Sequence, residues 1–467
     1  MQTWAVARQM IAEGIRMKIA LIFLVLVGLV VVGLPFSIAG DSSLTGAVQS
    51  FMSYGFAATG LLLGILTVFL SRSLADELVH HQILMVMTKP IPRWQYILGK
   101  WLGIVMLNAV FLSAAGVTIY AMVGYIRLTH PPLEERFDKQ ELTNEVLVAR
   151  HAARTNLPDF TKPAKAELQK NLEQGVYDDL PAFDANEEVR RLTQKYEAQW
   201  RIVQPLDSRV FEFENVLCDR SPRNFIQIRY KTVVSQNAPD EIFRAFWRIG
   251  DPAKGTPLYE VPTRHVIDRY QVIRVPADAV ADDHTLTVRF YNENLYEGEP
   301  QYRNVIEFRK ADEVEVLFVV GSFEWNIVRL LVLMMCKLMF LAGVAVLMTA
   351  VFSFPVACLA SFTVYVLAGA RSFLQDALDL SSGGTASMFS SVQEFVVQVI
   401  TTLFHMINWV VPNFGYYDAV ETLVNGRNVS LVWVLQGIGE LVLLKTAVIL
   451  GLAILLFYRR EVAEVSV

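Results

Sequence analysis

Long apolar runs punctuate this chain. Met17–Ile38 and Val48–Leu70 each hold about 20 residues with at most one charge. Tyr96–Tyr125, Asn326–Val351, Pro355–Gly369 and Leu441–Phe457 repeat the pattern, some with a single polar interruption. About 20 apolar residues, at 1.5 Å rise each, cross a hydrocarbon core of about 30 Å. The pattern therefore predicts six transmembrane helices, with the start of the short Pro355–Gly369 run set a few residues earlier. Trp4, Ala7, Met10, Ile11 and Ile15 recur at helical spacing, with Arg8, Gln9, Glu13 and Arg16 falling elsewhere. Residues 1–16 are thus expected to form an amphipathic helix in the membrane interface and not a cleavable signal peptide.

Between the third and fourth runs the pattern changes twice. Pro131–Gln204 is rich in Glu, Lys, Ala and Leu and reads as two or three helices broken at Pro158, Pro163 and Pro181. Beyond it, Arg209–Asn215, Phe225–Val234, Ile242–Ile249, Tyr270–Val275, Thr285–Tyr291, Val305–Arg309 and Val314–Val320 alternate apolar and polar positions. Period-two alternation between turn clusters predicts an antiparallel β-sandwich. The last strand feeds almost directly into the fourth span, so rigid coupling to that helix is expected. The predicted fold is an α-helical polytopic membrane protein with an inserted extracytoplasmic α+β domain at 128–325, helical over 128–204 and a sandwich over 205–325.

Composition and charge set the orientation. The chain is 53% hydrophobic over 467 residues, more apolar than a soluble surface allows. Arg8, Arg16 and Lys18, then Arg72, Lys89, Arg93 and Lys100, then Arg459 and Arg460, fall on one side of a six-span layout. The positive-inside rule makes that side cytoplasmic, placing both termini and the 459–467 tail inside a cell inner membrane. Leu128–Trp325 carries 26 Lys+Arg against 34 Asp+Glu, a net of −8, and the remainder is +3. This balance does not point to nucleic acid. Phe395–Val411 is apolar but interrupted by Gln398, His405 and Asn408. A seventh span there would flip Arg459 and Arg460 outward, so a re-entrant segment at 388–420 is the reading, with a true span as the alternative.

Candidate chemistry is sparse. Cys218, Cys336 and Cys358 have no metal-ligand spacing, and Cys218 is alone in the outer domain. Asp282, Asp283 and His284 adjoin in a predicted turn and read as solvated turn residues. Tyr291, Tyr296 and Tyr302 read as edge-strand packing, with a partner-binding patch as the alternative. Lys337 lies inside the fourth span, and Glu440 and Lys445 near the start of the sixth. Ionisable groups at that depth need partners or water. A Lys337–Glu440 pair is the simplest solution; a place on a translocation path, with Lys445 lining a cavity, is the other. No G-x-x-x-x-G-K-[ST], G-x-S-x-G or H-E-x-x-H occurs, so catalysis by this chain is not expected, and no metal or cofactor is assigned to it.

The polar segment Ser71–Lys100 lies between the second and third spans. It holds the acidic pair Asp76 and Glu77, apolar Leu78, Ile83, Leu84 and Val86, then Thr88, Lys89, Pro90, Ile91, Pro92 and Arg93, and finally Gly99 and Lys100 at the mouth of the third span. The Leu84–Lys100 run, L-M-V-M-T-K-P-I-P-R-W-Q-Y-I-L-G-K, resembles the stretch that leads into span three of type-2 ATP-binding-cassette (ABC) exporter permeases. Leu78–Gln82 departs from that family's frequent Gly-Thr. Pro412–Asp418, P-N-F-G-Y-Y-D, is similar to a stretch before the last span in permeases grouped with multi-copper-enzyme maturation. The resemblance covers about residues 1–127 and 326–467 and leaves the outer domain unexplained.

The resemblance implies two permease subunits, as a homodimer or with a second permease, paired with two ABC ATPase subunits that hold ATP and magnesium. A coupling element at 74–93, its helix around Asp76–Met87, would sit in a cleft of the ATPase. The stiff Pro90-Ile91-Pro92 turn would pass ATPase closure to span three, and Arg93 and Lys100 would meet anionic membrane lipid or acidic ATPase residues. Three functions compete: export driven by a separate ATPase, ABC-driven transmission of movement through the outer domain to an envelope partner, and an ATPase-independent anchor or sensor.

Overall fold

The fold is described from a computed structural model covering residues 2–16, 18–37, 43–79, 91–129, 139, 141–176, 184–221, 224–234, 242–266, 268–293, 305–310, 313–382 and 411–459. The chain divides into two compact units. One joins Met1–Ala149 to Gly321–Val467, and the other is Arg150–Val320.

The first unit is helical. Leu44–Leu70 starts at an N-cap where the Ser43 hydroxyl accepts from the Gly46 amide at 2.9 Å, and runs on past Ser71 as Arg72–Val79. Arg93–Thr129, Phe323–Val351, Phe354–Ser382 and a composite helix over Leu431–Arg459 follow. Among the described residues five helices are long and apolar enough to cross a membrane, and a sixth if Gln2–Arg16 and Ile19–Leu34, bent by 66°, form one span. Phe323–Val351 is the hub: 72% of its most apolar window is buried within the chain, against 17% for Phe354–Phe373. The expected N-terminal helix is present as Gln2–Arg16, and its apolar face is divided. Ala7 and Met10 are buried in the bundle, while Trp4 and Ile15 stay exposed.

The composite helix is not uniform. Leu431–Gly437, capped by Ser430, passes into a π-helical stretch at Ile438–Thr446 and returns to α-helix at Ala447–Arg459. The Thr446 hydroxyl donates to the Leu441 carbonyl at 2.6 Å, five residues back, inside the widened turn.

The second unit carries three sheets, numbered here in chain order: β1 (Val148–Arg154), β2 (Ile202–Val203), β3 (Ser208–Phe213), β4 (Phe225–Tyr230), β5 (Val233–Val234), β6 (Ile242–Ile249), β7 (Tyr259–Val266), β8 (Gln271–Pro276), β9 (Leu286–Asn292), β10 (Ile306–Glu307) and β11 (Glu315–Ser322). Their orders are β1-β11-β4-β8, β2-β10-β5 and β3-β9-β6-β7. The β3–β9, β9–β6, β6–β7, β11–β4 and β4–β8 pairs are antiparallel, with Trp247 opposite Phe290 and Ile228 opposite Ile273. Both four-stranded sheets feed one buried cluster that includes Phe211, Trp247, Phe290, Ile228 and Tyr230.

Two local readings are corrected. The segment at Val148–Arg154 was expected within a helical region, and it is a strand; alanine favours helix locally, but placement beside β11 overrides that preference. The strand β7 was absent from the prediction because Pro262 interrupts its pattern. It lies at the edge of its sheet, where a missing N–H is tolerated. Two helices, Thr161–Glu173 and Ala185–Arg201, lie in the stretch expected to be helical and pack through Ala164, Leu168 and Leu192, but Pro163 is not a break: it sits in the first turn of Thr161–Glu173, where its missing N–H costs no helical hydrogen bond.

Candidate functional site

Three helices each present a pair of polar residues four apart: Gln9 and Glu13, Ser73 and Glu77, Tyr96 and Lys100. Four residues make just over one helical turn, so each pair faces one direction. The three faces meet. The Lys100 ammonium lies 2.6 Å from Glu77 Oε1, 3.0 Å from Glu13 Oε2 and 2.9 Å from Ser73 Oγ, so its three N–H donors have three acceptors. Tyr96 donates its hydroxyl to the second Glu77 oxygen, and Ser73 donates to Glu13. Gln9 donates to Glu13 at 2.8 Å and to Glu77 at 3.3 Å. The Lys100 side chain is 1% exposed and that of Glu77 6%. Two carboxylates against one ammonium leave the cluster one negative charge, held by neutral donors.

This corrects the expectation for Lys100. Its ammonium is 1% exposed and is held by this chain's own Glu77 and Glu13. Glu77 likewise faces inward. Asp76 is the outward member of the acidic pair, about half exposed and 3.3 Å from Arg72. Leu78 packs on the core, and Ile91, Pro92 and Arg93 lead into the third membrane helix. Arg93 Nη1 donates to the Tyr458 carbonyl at 2.8 Å, and its guanidinium lies 5.3 Å from the Tyr458 ring centre. It therefore ties the start of the third membrane helix to the end of the last one, where helix carbonyls lack intrahelical partners. Ile83, Leu84, Thr88, Lys89 and Pro90 lie outside the described residues.

Gly99 is a packing position. A Cβ there would sit 2.6 Å from Val6 Cβ and 2.9 Å from the Thr3 carbonyl oxygen, and one on Gly103 would meet Met10 and the Ala7 carbonyl just as closely. The G-x-x-x-G spacing lets the N-terminal helix approach backbone to backbone, which carries Glu13 to Lys100. Gly99→Leu is expected to push that helix off and lower stability by about 1–3 kcal/mol. Faster proteolysis within Gln2–Arg16 of the purified protein would report it; unchanged protection would exclude this role.

A second polar group surrounds the Pro412–Asp418 turn. Lys337 and Ala368 are the middle residues of two 29-residue helices. The Phe414 amide donates to the Ala368 carbonyl at 2.9 Å, Phe414 packs on Phe340 with ring centres 5.9 Å apart, and Asp418 lies 3.9 Å from the Lys337 ammonium. The Asn413 side chain closes the turn by accepting from the Tyr416 amide and the Ser372 hydroxyl. Non-helical backbone thus sits beside the middle of the Phe323–Val351 membrane helix, a position tolerated only where protein buries it or a cavity is lined.

The expected Lys337–Glu440 pair is not formed. Glu440 accepts from Tyr417 at 2.6 Å and pairs with Lys445 at 3.2 Å. In an α-helix residues five apart point in different directions; the π-helical stretch aligns them. Lys337 and Glu440 are held instead by neighbouring residues of one turn, Asp418 and Tyr417. Lys337 and Asp418 also line a cavity of about 610 Å³ between the second, fourth and fifth membrane helices, whose other walls are chiefly apolar. The predicted re-entrant segment falls mostly outside the described residues.

In the sheet unit, Asp282 pairs with Arg220, while Thr285 and Lys254 hold the Asp283 carboxyl down at about 2. That fastens the turn containing His284. No group of three or more His, Cys, Asp and Glu side chains suited to a metal occurs among the described residues. Compared with models of known protein families and with curated proteins, the sequence matches none.

Proposed function

We propose that this chain is the membrane-embedded subunit of an ABC exporter, working as a homodimer or with a second permease and driven by a separate ATPase that binds ATP and magnesium. The observation that carries the reading is the buried Glu13–Glu77–Lys100 cluster. It binds the segment leading from the second membrane helix to the third, the N-terminal helix and the third helix into one piece. A push on the outward side of that segment would move all three. The resemblance of Leu84–Lys100 to the type-2 permeases names the source of the push. In this reading Asp76, the exposed Val79 and Trp94, and Pro92 form the ATPase-facing surface. Both termini are cytoplasmic and the Arg150–Val320 unit lies outside an inner membrane.

The test is ATP hydrolysis by a complex isolated through a tag on the full-length chain. Asp76→Arg and Trp94→Asp, both at exposed positions, are expected to leave the chain soluble in detergent and monodisperse while removing the co-isolated ATPase activity. Full activity in both variants, or none in the wild-type isolate, would overturn the reading.

One further observation favours transmission to an envelope partner as a second reading. The strand β11 ends at Ser322, and the hub helix begins at Phe323 with no intervening loop. Deleting the sheet unit separates the two, because an exporter keeps some ATP-driven flux and a transmission device loses all function.

A further inference from the structure

The cavity beside the Pro412–Asp418 turn has the properties of a ligand site. Its volume of about 610 Å³ lies within the 300–1,000 Å³ range of small-molecule pockets. Its walls are apolar over Phe56, Leu61, Met334, Phe362 and Phe414, and charge enters at one place, where Lys337 and Asp418 both line it. Their separation of 3.9 Å is at the limit of an ion pair. An ammonium has three donors, so such a contact leaves capacity at Lys337 for a further acceptor. Asp418 accepts from the Val420 amide at 3.3 Å and its side chain is 56% exposed, so it too has room for a donor.

The two signs decide which head group fits. A purely anionic head gains at Lys337 and is repelled by Asp418, and a purely cationic one meets the reverse. A head carrying both an anionic oxygen and a cationic nitrogen gains at both. The apolar remainder suits a hydrocarbon chain, and charged residues at mid-helix depth in a membrane protein require polar company of this kind. We infer that this cavity binds a zwitterionic amphiphile, its anionic oxygen on Lys337, its cationic nitrogen on Asp418 and its chain against the second and fifth membrane helices. The inference rests on the proposed export function only for what becomes of the ligand. Binding is measured without any ATPase, so either can fail while the other stands.

The full-length chain in a neutral detergent would be titrated with three probes of equal acyl length: lysophosphatidylethanolamine (zwitterionic), lysophosphatidylglycerol (anionic) and monoacylglycerol (neutral). Native mass spectrometry reads the occupancy. The expected result is one zwitterionic molecule per chain, bound about tenfold or more tightly than the other two, which corresponds to about 1.4 kcal/mol. The paired variant Lys337→Met with Asp418→Asn is expected to erase the head-group preference. Gly60→Leu, whose Cβ would sit 3.2 Å from the Met334 methyl in the cavity wall, is expected to lose all three probes. If the paired variant fails to stay monodisperse, the Gly60→Leu result and the wild-type ranking decide. Equal binding of the three probes, a preference for the anionic one, a preference that persists in the paired variant, or binding unaffected by Gly60→Leu would overturn the inference.

Discussion

Lys100→Met is expected to cost about 3–5 kcal/mol, enough to deplete the folded protein, because it leaves the buried Glu77, and the partly exposed Glu13 beside it, without a counter-charge. The loss comes from the uncompensated carboxylates more than from the missing attraction. Removing their charges in the same chain, as Glu13→Gln with Glu77→Gln and Lys100→Met, should therefore recover much of it. The thermal midpoint of the detergent-solubilised protein, followed by size-exclusion fluorescence, measures both steps. A Lys100→Met chain as stable as the wild type would show that water reaches the cluster. A triple variant no better than the single one would show that the hydrogen bonds of Ser73 and Tyr96 matter more than charge.

Trp247→Ala should unfold the sheet unit at lower temperature, by about 3–5 kcal/mol of lost packing. Trp247 is fully buried, 4.4 Å from the Tyr230 ring centre and 4.8 Å from that of Phe290. No smaller side chain fills the space between the two sheets. Hydrogen exchange on the full chain is expected to lose protection in β4, β6 and β9 and keep it in Phe323–Val351. That result follows from the division into two units with separate buried clusters. Simultaneous loss in the membrane helices would mean that the units fold as one cooperative block.

Much of the architecture was legible because it follows from local physics. A run of about 20 apolar residues has few alternatives to a membrane helix, and alternation marks β3, β6 and β9 because each strand buries one face. The failures are equally physical. The strand β7 hides behind Pro262, and β1 hides in an alanine-rich segment whose local preference is helix. Residues 383–410 lie outside the described residues, as does half of the coupling segment. In the candidate sites, the residue types were visible and the partners were not. Glu13 read as one polar position of an interfacial helix, and Asp418 as the last letter of a stretch resembling a permease motif.

By itself the sequence determined where apolar surface must be buried: which stretches are long and apolar enough to cross a membrane, which alternate into strands, and that Lys337, Glu440 and Lys445 stand among apolar neighbours and need partners. Only the tertiary structure decided who those partners are. Lys100 meets Glu13 across 87 residues of chain, and Lys337 meets Asp418 in place of Glu440. Glu440 reaches Lys445 through a widened turn. Hydrophobic burial is non-directional and leaves a periodic trace in the sequence. A buried charge is satisfied by a few atoms at hydrogen-bond distance, and which atoms arrive there depends on how the helices pack.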